Sequence, residues 1–123
     1  MPISYSIDRS MNVIFEVWEG EITATELGDY WKAYLEDEEV MAIRRTLVDL
    51  RKSTLRFTGQ EMWNLVESVV IPKLAGRTWK TAILVERADQ FGVSRQYQVF
   101  AEYYSQDSIF YDRQLALDWL IGS

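Results

Sequence analysis

Residues 3–7, ISYSI, alternate apolar and polar side chains, and so do residues 13–19, VIFEVWE; the turn-rich DRSMN lies between them. Period two marks strands with one face inward, so the two runs read as an antiparallel hairpin. After Gly20 the period changes. TATE (23–26) forms a capping box, in which Thr23 accepts from an amide of the first turn while Glu26 reaches back. Leu27, Tyr30, Trp31, Tyr34 and Leu35 then recur at helical spacing, and the acidic run EDEE (36–39) reads as the solvated end of that helix.

The third strand is TLVDL (46–50), apolar on both faces as central parallel strands are. A polar loop follows it, and TGQE (58–61) is a second capping box. Met62, Leu65, Val66 and Val69 supply the buried stripe of its helix, which Pro72 should kink or end. TWKTAILVE (78–86) predicts a fourth strand. Asp89 is placed as the cap of a third helix with Val93, Tyr97, Phe100, Ala101 and Tyr104 inward. SIFY (108–111) predicts a short fifth strand, and Asp112 caps a last helix that buries Leu115, Trp119 and Leu120. The order β-β-α-β-α-β-α-β-α implies an α/β domain with a mostly parallel five-stranded sheet and right-handed crossovers. Ligands of such sheets sit beyond the carboxyl ends of the strands, here 51–58, 86–91 and 111–113.

Composition narrows the chemistry. A length of 123 residues suits one domain, 1–123, and no repeat or linker divides it. Neither Cys nor His occurs, which excludes disulfides and thiolate metal sites and removes the commonest general base. No nucleophile elbow or Gly-rich phosphate loop is present; AGRT (75–78) reads as a helix C-cap. A non-enzymatic protein without a cofactor is the expectation. The net charge of −6 argues against nucleic-acid binding. Residues 1–41 carry ten acids and two bases, whereas 42–123 carry nine acids and eleven bases. No leader and no apolar run of membrane-spanning length is visible, so a cytoplasmic protein without membrane insertion is expected.

ISYSID with its hairpin, GEIT before the first helix, LVDLR, FGVSRQY and IFYDRQLALDWL occur in an order and spacing that resemble the SpoIIAA-like family. These are small bacterial domains related to STAS domains and anti-sigma-factor antagonists. The resemblance runs almost end to end. It implies a STAS-like fold and a regulatory role exercised through a protein partner. Anti-sigma antagonists carry an Asp-Ser-Ser-Gly phosphoacceptor at the start of the second helix. Here Thr58, Gly59 and Gln60 stand near that place without the Asp-Ser pair, so the phosphoswitch does not carry over and Thr58 reads as an N-cap.

The residues offered for partner or anion contact are Arg51, Arg56, Thr58, Gln60, Trp63 and Arg95. Asp49 with Arg51 and Arg56 reads as an ion-pair network tying strand to loop, with an anion clamp or an Asp49-based enzyme as alternatives. Arg95 lies at the start of the third helix, where free amides bind anions. Phe100, Tyr103, Tyr104, Phe110 and Tyr111 are the densest aromatic stretch and the candidate interface of an expected homodimer. The alternative function is a small apolar ligand or lipid carrier. STAS folds resemble CRAL-TRIO domains, and Trp63, Trp79 and Phe91 would line the pocket.

Overall fold

A computed structural model of the chain describes residues 2–122. Strand β1 (Ile3–Asp8) pairs antiparallel with β2 (Val13–Thr23), as the alternation predicts. Asp8 closes the turn by accepting from Met11 N at 3.0 Å, and Asn12 takes the left-handed conformation (φ 59°) that Asn tolerates better than most residues. Helix α1 (Ala24–Tyr34) begins at the capping box of Thr23 and Glu26. It stops before the acidic run. Asp37 instead accepts from the amides of Glu39 and Val40 and caps a separate short helix, α2 (Glu38–Ile43), so EDEE is not simply a solvated helix end.

Strand β3 (Arg45–Arg56) runs six residues past the predicted strand. The stretch read as a polar loop pairs with the far half of β2, Glu19↔Lys52 through Thr23↔Arg56, after a bulge between Asp49 and Lys52. Extra residues in one strand re-aim its side chains, so both Leu50 and Ser53 point inward. Helix α3 (Gly59–Leu65) passes into a π-helical segment, Val66–Val70, and then into α4 (Ile71–Leu74). Pro72 explains the widened turn: it has no N–H to give Ser68 O, and its ring would collide with that carbonyl. The buried stripe is therefore Met62, Val66, Val70 and Leu74, spaced by four, with Leu65 and Val69 only half-buried. Gly28 lets α1 approach α3, because a Cβ there would stand 2.9 Å from Leu65 Cδ2.

Strands β4 (Trp79–Leu84) and β5 (Ser105–Phe110) continue the sheet in parallel. Helix α5 (Ala88–Phe100) starts at Arg87, not at Asp89, which lies in its first turn and pairs with Arg87. Helix α6 (Arg113–Ile121) begins at Asp112 as predicted. It buries Ala116 and Leu120, but Leu115 is 60% exposed. The strand order is β1-β2-β3-β4-β5. Sequential parallel strands joined by crossovers of one hand place their helices on one face. Accordingly α1, α3, α4 and α5 pack over Ile14, Trp18, Leu50 and Ile83, while α6 covers Val13, Leu47, Ala82 and Leu84 on the other face.

A fully buried glutamine joins two irregular segments. Gln90 Nε2 donates to Leu50 O at 2.7 Å and Ser53 O at 3.1 Å at the β3 bulge. Its Oε1 accepts from the amides of Glu86 and Arg87 where β4 turns into α5. Arg87 Nη2 adds a bond of 2.7 Å to Ser53 O.

Candidate functional site

Strand residues that point under the helices include a polar lane. Thr46, Thr81 and Asp107 stand side by side on β3, β4 and β5, and Glu16 lies one inward position along β2. Helix α1 supplies Tyr30 and Tyr34 above them. Tyr30 donates to Glu16 Oε1 at 2.8 Å and Trp18 Nε1 donates to Oε2 at 2.7 Å. Tyr34 and Thr46 share a hydroxyl bond of 2.7 Å. Tyr30 and Tyr34 stack at 5.3 Å, and Tyr5 meets Tyr34 edge-on at 5.0 Å. The Tyr5 hydroxyl bonds to Asp37, which ties β1 to the cap of α2.

Beside this lane lies a cavity of about 90 Å³ between the sheet and helices α1, α3–α4 and α5. Leu27, Trp31, Phe57, Val70 and Leu74 give it apolar walls, while Glu16, Thr46, Ser94 and Thr81 bring polar atoms to it. Trp79 also lines it, and its indole N–H is buried with no acceptor. Glu16 is 4% exposed, and burial pushes its carboxyl up to about 7 despite the two bonds that favour the ionised form. Burial likewise pushes Asp107 up to about 6, against the hydroxyls of Ser105 and Thr81. The hydroxyls of Tyr30, Tyr34 and Tyr97 are raised by burial and stay neutral.

The residues proposed from sequence lie apart from this site, with one exception. Trp79 lines the cavity; Trp63 packs on Phe100 at 5.1 Å, and Phe91 stacks on Tyr111 at 6.1 Å outside it. Asp49 and Arg51 form a bidentate pair with both bonds at 3.0 Å. Burial raises the Asp49 carboxyl, but the hydrogen bonds and charge of Arg51 outweigh it and leave the pKa below the ordinary value. That is the opposite of what a catalytic base at Asp49 requires. Arg56 pairs with Glu21 rather than with Asp49, Gln60 bonds Asn64, and Arg95 bonds Gln98. Thr58 accepts from Glu61 N at 3.1 Å and its own N–H donates back to Glu61 at 2.8 Å, as a cap should. The aromatic stretch does not form one patch. Phe100 and Tyr104 pack against the larger core and Phe110 against the smaller, leaving Tyr103 (87% exposed) and Tyr111 outside.

Sequence reasoning missed Glu16 and Gln90. The signal for Glu16 was present: in VIFEVWE it alternates in phase with Ile14 and Trp18, the inward pair. Among the described residues no group of three or more Asp or Glu is placed to hold a metal, and no helix is long and apolar enough to cross a membrane.

No protein-family model matches the chain, and no curated protein matches it. Among solved structures it is similar to an uncharacterized protein of the DUF3478 family with a SpoIIAA-like fold, from Shewanella loihica PV-4. The two are 20% identical and superpose with a TM-score of 0.65 over 96% of this chain and 93% of the other. The fold is SpoIIAA-like, as the order of motifs implied.

Proposed function

We propose that the chain is a binding domain that encloses a small, largely apolar molecule between its sheet and the helices of the larger core. The cavity carries this reading. Apolar walls, a few converging polar groups and a carboxylate of perturbed charge are the common makings of a ligand site. Trp79 supports it, because an oxygen of a bound molecule or a water would satisfy the indole N–H. Size sets a single small ring as the upper limit for the occupant, since the cavity of about 90 Å³ is smaller than the engineered apolar cavity of about 150 Å³ that holds benzene. A lipid would need the helices to part. Presentation of α3 to a protein partner has less support, because Arg56, Gln60 and Trp63 are each engaged within the chain.

Benzene is the first probe. Titration should shift the methyl NMR signals of Leu27, Val70 and Leu74, and Val70→Phe, which fills the space, should abolish the shifts. Cavity methyls that stay unmoved at benzene saturation would overturn the proposal.

A further inference from the structure

The walls of the cavity are unusual in kind. Among the described residues six rings line it, from Trp18, Trp31, Tyr34, Phe57, Trp79 and Tyr97, and no Lys or Arg does. Two of these rings, Trp31 and Tyr97, adjoin at 5.9 Å with their planes 41° apart. Among the described residues the only ionisable carboxylate in the lining is Glu16. Its two oxygens each accept one bond, from Tyr30 and from Trp18, and a carboxylate has about four lone-pair sites. Half of its accepting capacity is unused.

An anion has no counter-charge here and would meet Glu16. A hard metal ion is held by several carboxylate and carbonyl oxygens, and among the described residues no cluster of three or more carboxylates is placed to hold one. A cation with a carbon shell suits both features, because ring faces attract it and a desolvated carboxylate pairs with it. We infer that the cavity takes a small organic cation, an alkyl- or methylammonium, with its charge against Glu16 and its carbons among the rings. This deepens the binding role proposed above and rests on it.

Affinity should then depend on pH. In the empty site burial holds the Glu16 carboxyl near about 7, and the cation binds its ionised form. The other groups facing it are Tyr30 and Tyr34 from α1, Tyr97 from α5 and Tyr5 from β1, all kept neutral by raised hydroxyl pKa values. Burial raises the Asp107 carboxyl on β5 less far, to about 6, and among the described residues the α3–α4 wall presents Met62, Val70 and Leu74.

Tetramethylammonium and tert-butanol, alike in shape but not in charge, make the test by calorimetry and the same methyl signals. At pH 8 the cation should bind at least tenfold tighter than the alcohol, a margin within reach of cation–π and ion-pair contacts. Its affinity should fall about tenfold at pH 6, following the ionised fraction of Glu16. Glu16→Gln should remove both the preference and the pH dependence while alcohol binding persists; Trp31→Leu should weaken the cation alone. Equal affinity for the two probes, or an unchanged preference in Glu16→Gln, would overturn the inference and leave the binding site standing. Failure of both probes and of benzene would bring down the site itself.

Discussion

Gln90 on α5 and Glu16 on β2 are both buried polar side chains, yet they have opposite characters. Gln90 is neutral, and its donors and acceptor are all engaged by backbone groups that the β3 bulge and the β4–α5 turn leave unpaired. Nothing is left over, and no open space adjoins it in the cavity lining. Glu16 is held by two donors, keeps spare accepting capacity, resists ionisation and borders the cavity. Burial of a polar group is therefore a poor sign of function taken alone. Unused capacity beside open space is the better one.

The contrast can be broken most severely at Gln90. Gln90→Leu strands the amides of Glu86 and Arg87, each costing about 1–3 kcal/mol when buried without a partner. It also removes one donor from Leu50 O and Ser53 O, which keep Ser53 Oγ and Arg87 Nη2. Urea unfolding should show a loss of about 4 kcal/mol at every pH between 5 and 8. A loss below about 1 kcal/mol would mean that water replaces the amide and that the two clusters are not so different.

Glu16 should behave in the reverse manner, with a smaller effect that depends on pH. Its carboxyl pKa rises from 4.5 unfolded to about 7 folded. Between those values the folded chain keeps a proton that the unfolded chain has released, so stability falls as pH rises through this window. The loss is complete above about 7 and amounts to about 3 kcal/mol at one pKa unit per 1.36 kcal/mol. Asp107 adds a slope of the same sign that ends near about 6. Glu16→Gln should flatten the curve between pH 6 and 8 and make the variant the more stable protein at pH 8. The new amide still accepts from Trp18, and the Tyr30 hydroxyl can turn to accept from it. A wild-type curve that is flat or rising from pH 5 to 8 would contradict the burial of an ionisable Glu16.

The smallest effect belongs to a residue with one local task. Thr58→Ala should cost about 1 kcal/mol through the lost cap, with no change in tetramethylammonium binding. A loss of binding in that variant would draw α3's N-terminus into the site.

The parts of the fold legible in sequence are those decided within a few residues. Thr23 with Glu26, Thr58 with Glu61 and Asp112 announced three helices because a cap and its amides lie in one turn. The second half of β3 was hidden because RKSTLR has no alternation of its own; Glu19–Thr23, distant in sequence, makes it a strand. The cap at Asp37 was masked by the acids around it. The candidate site was less legible still. Strand phase turns Glu16 inward, but its enclosure depends on Tyr30, Trp18 and three helices arriving from elsewhere. Gln90 offered no sign at all, since its partners are the backbone of a bulge that no sequence rule located.

Strand order that copies chain order also governs how the molecule is assembled. Each strand leaving the ribosome finds its neighbour already in place and waits for no later segment to pair, which keeps its pairings short in sequence. The smaller core is the exception. Val13, Leu47, Ala82 and Leu84 lie on three strands made early, but their cover, Ala116 and Leu120, arrives with the nine residues of α6. Until then a growing chain carries a bare apolar sheet face, the surface to which a chaperone or a second unfinished chain would adhere. The helix on the sheet face opposite the cavity is thus the one that guards the protein during its own synthesis.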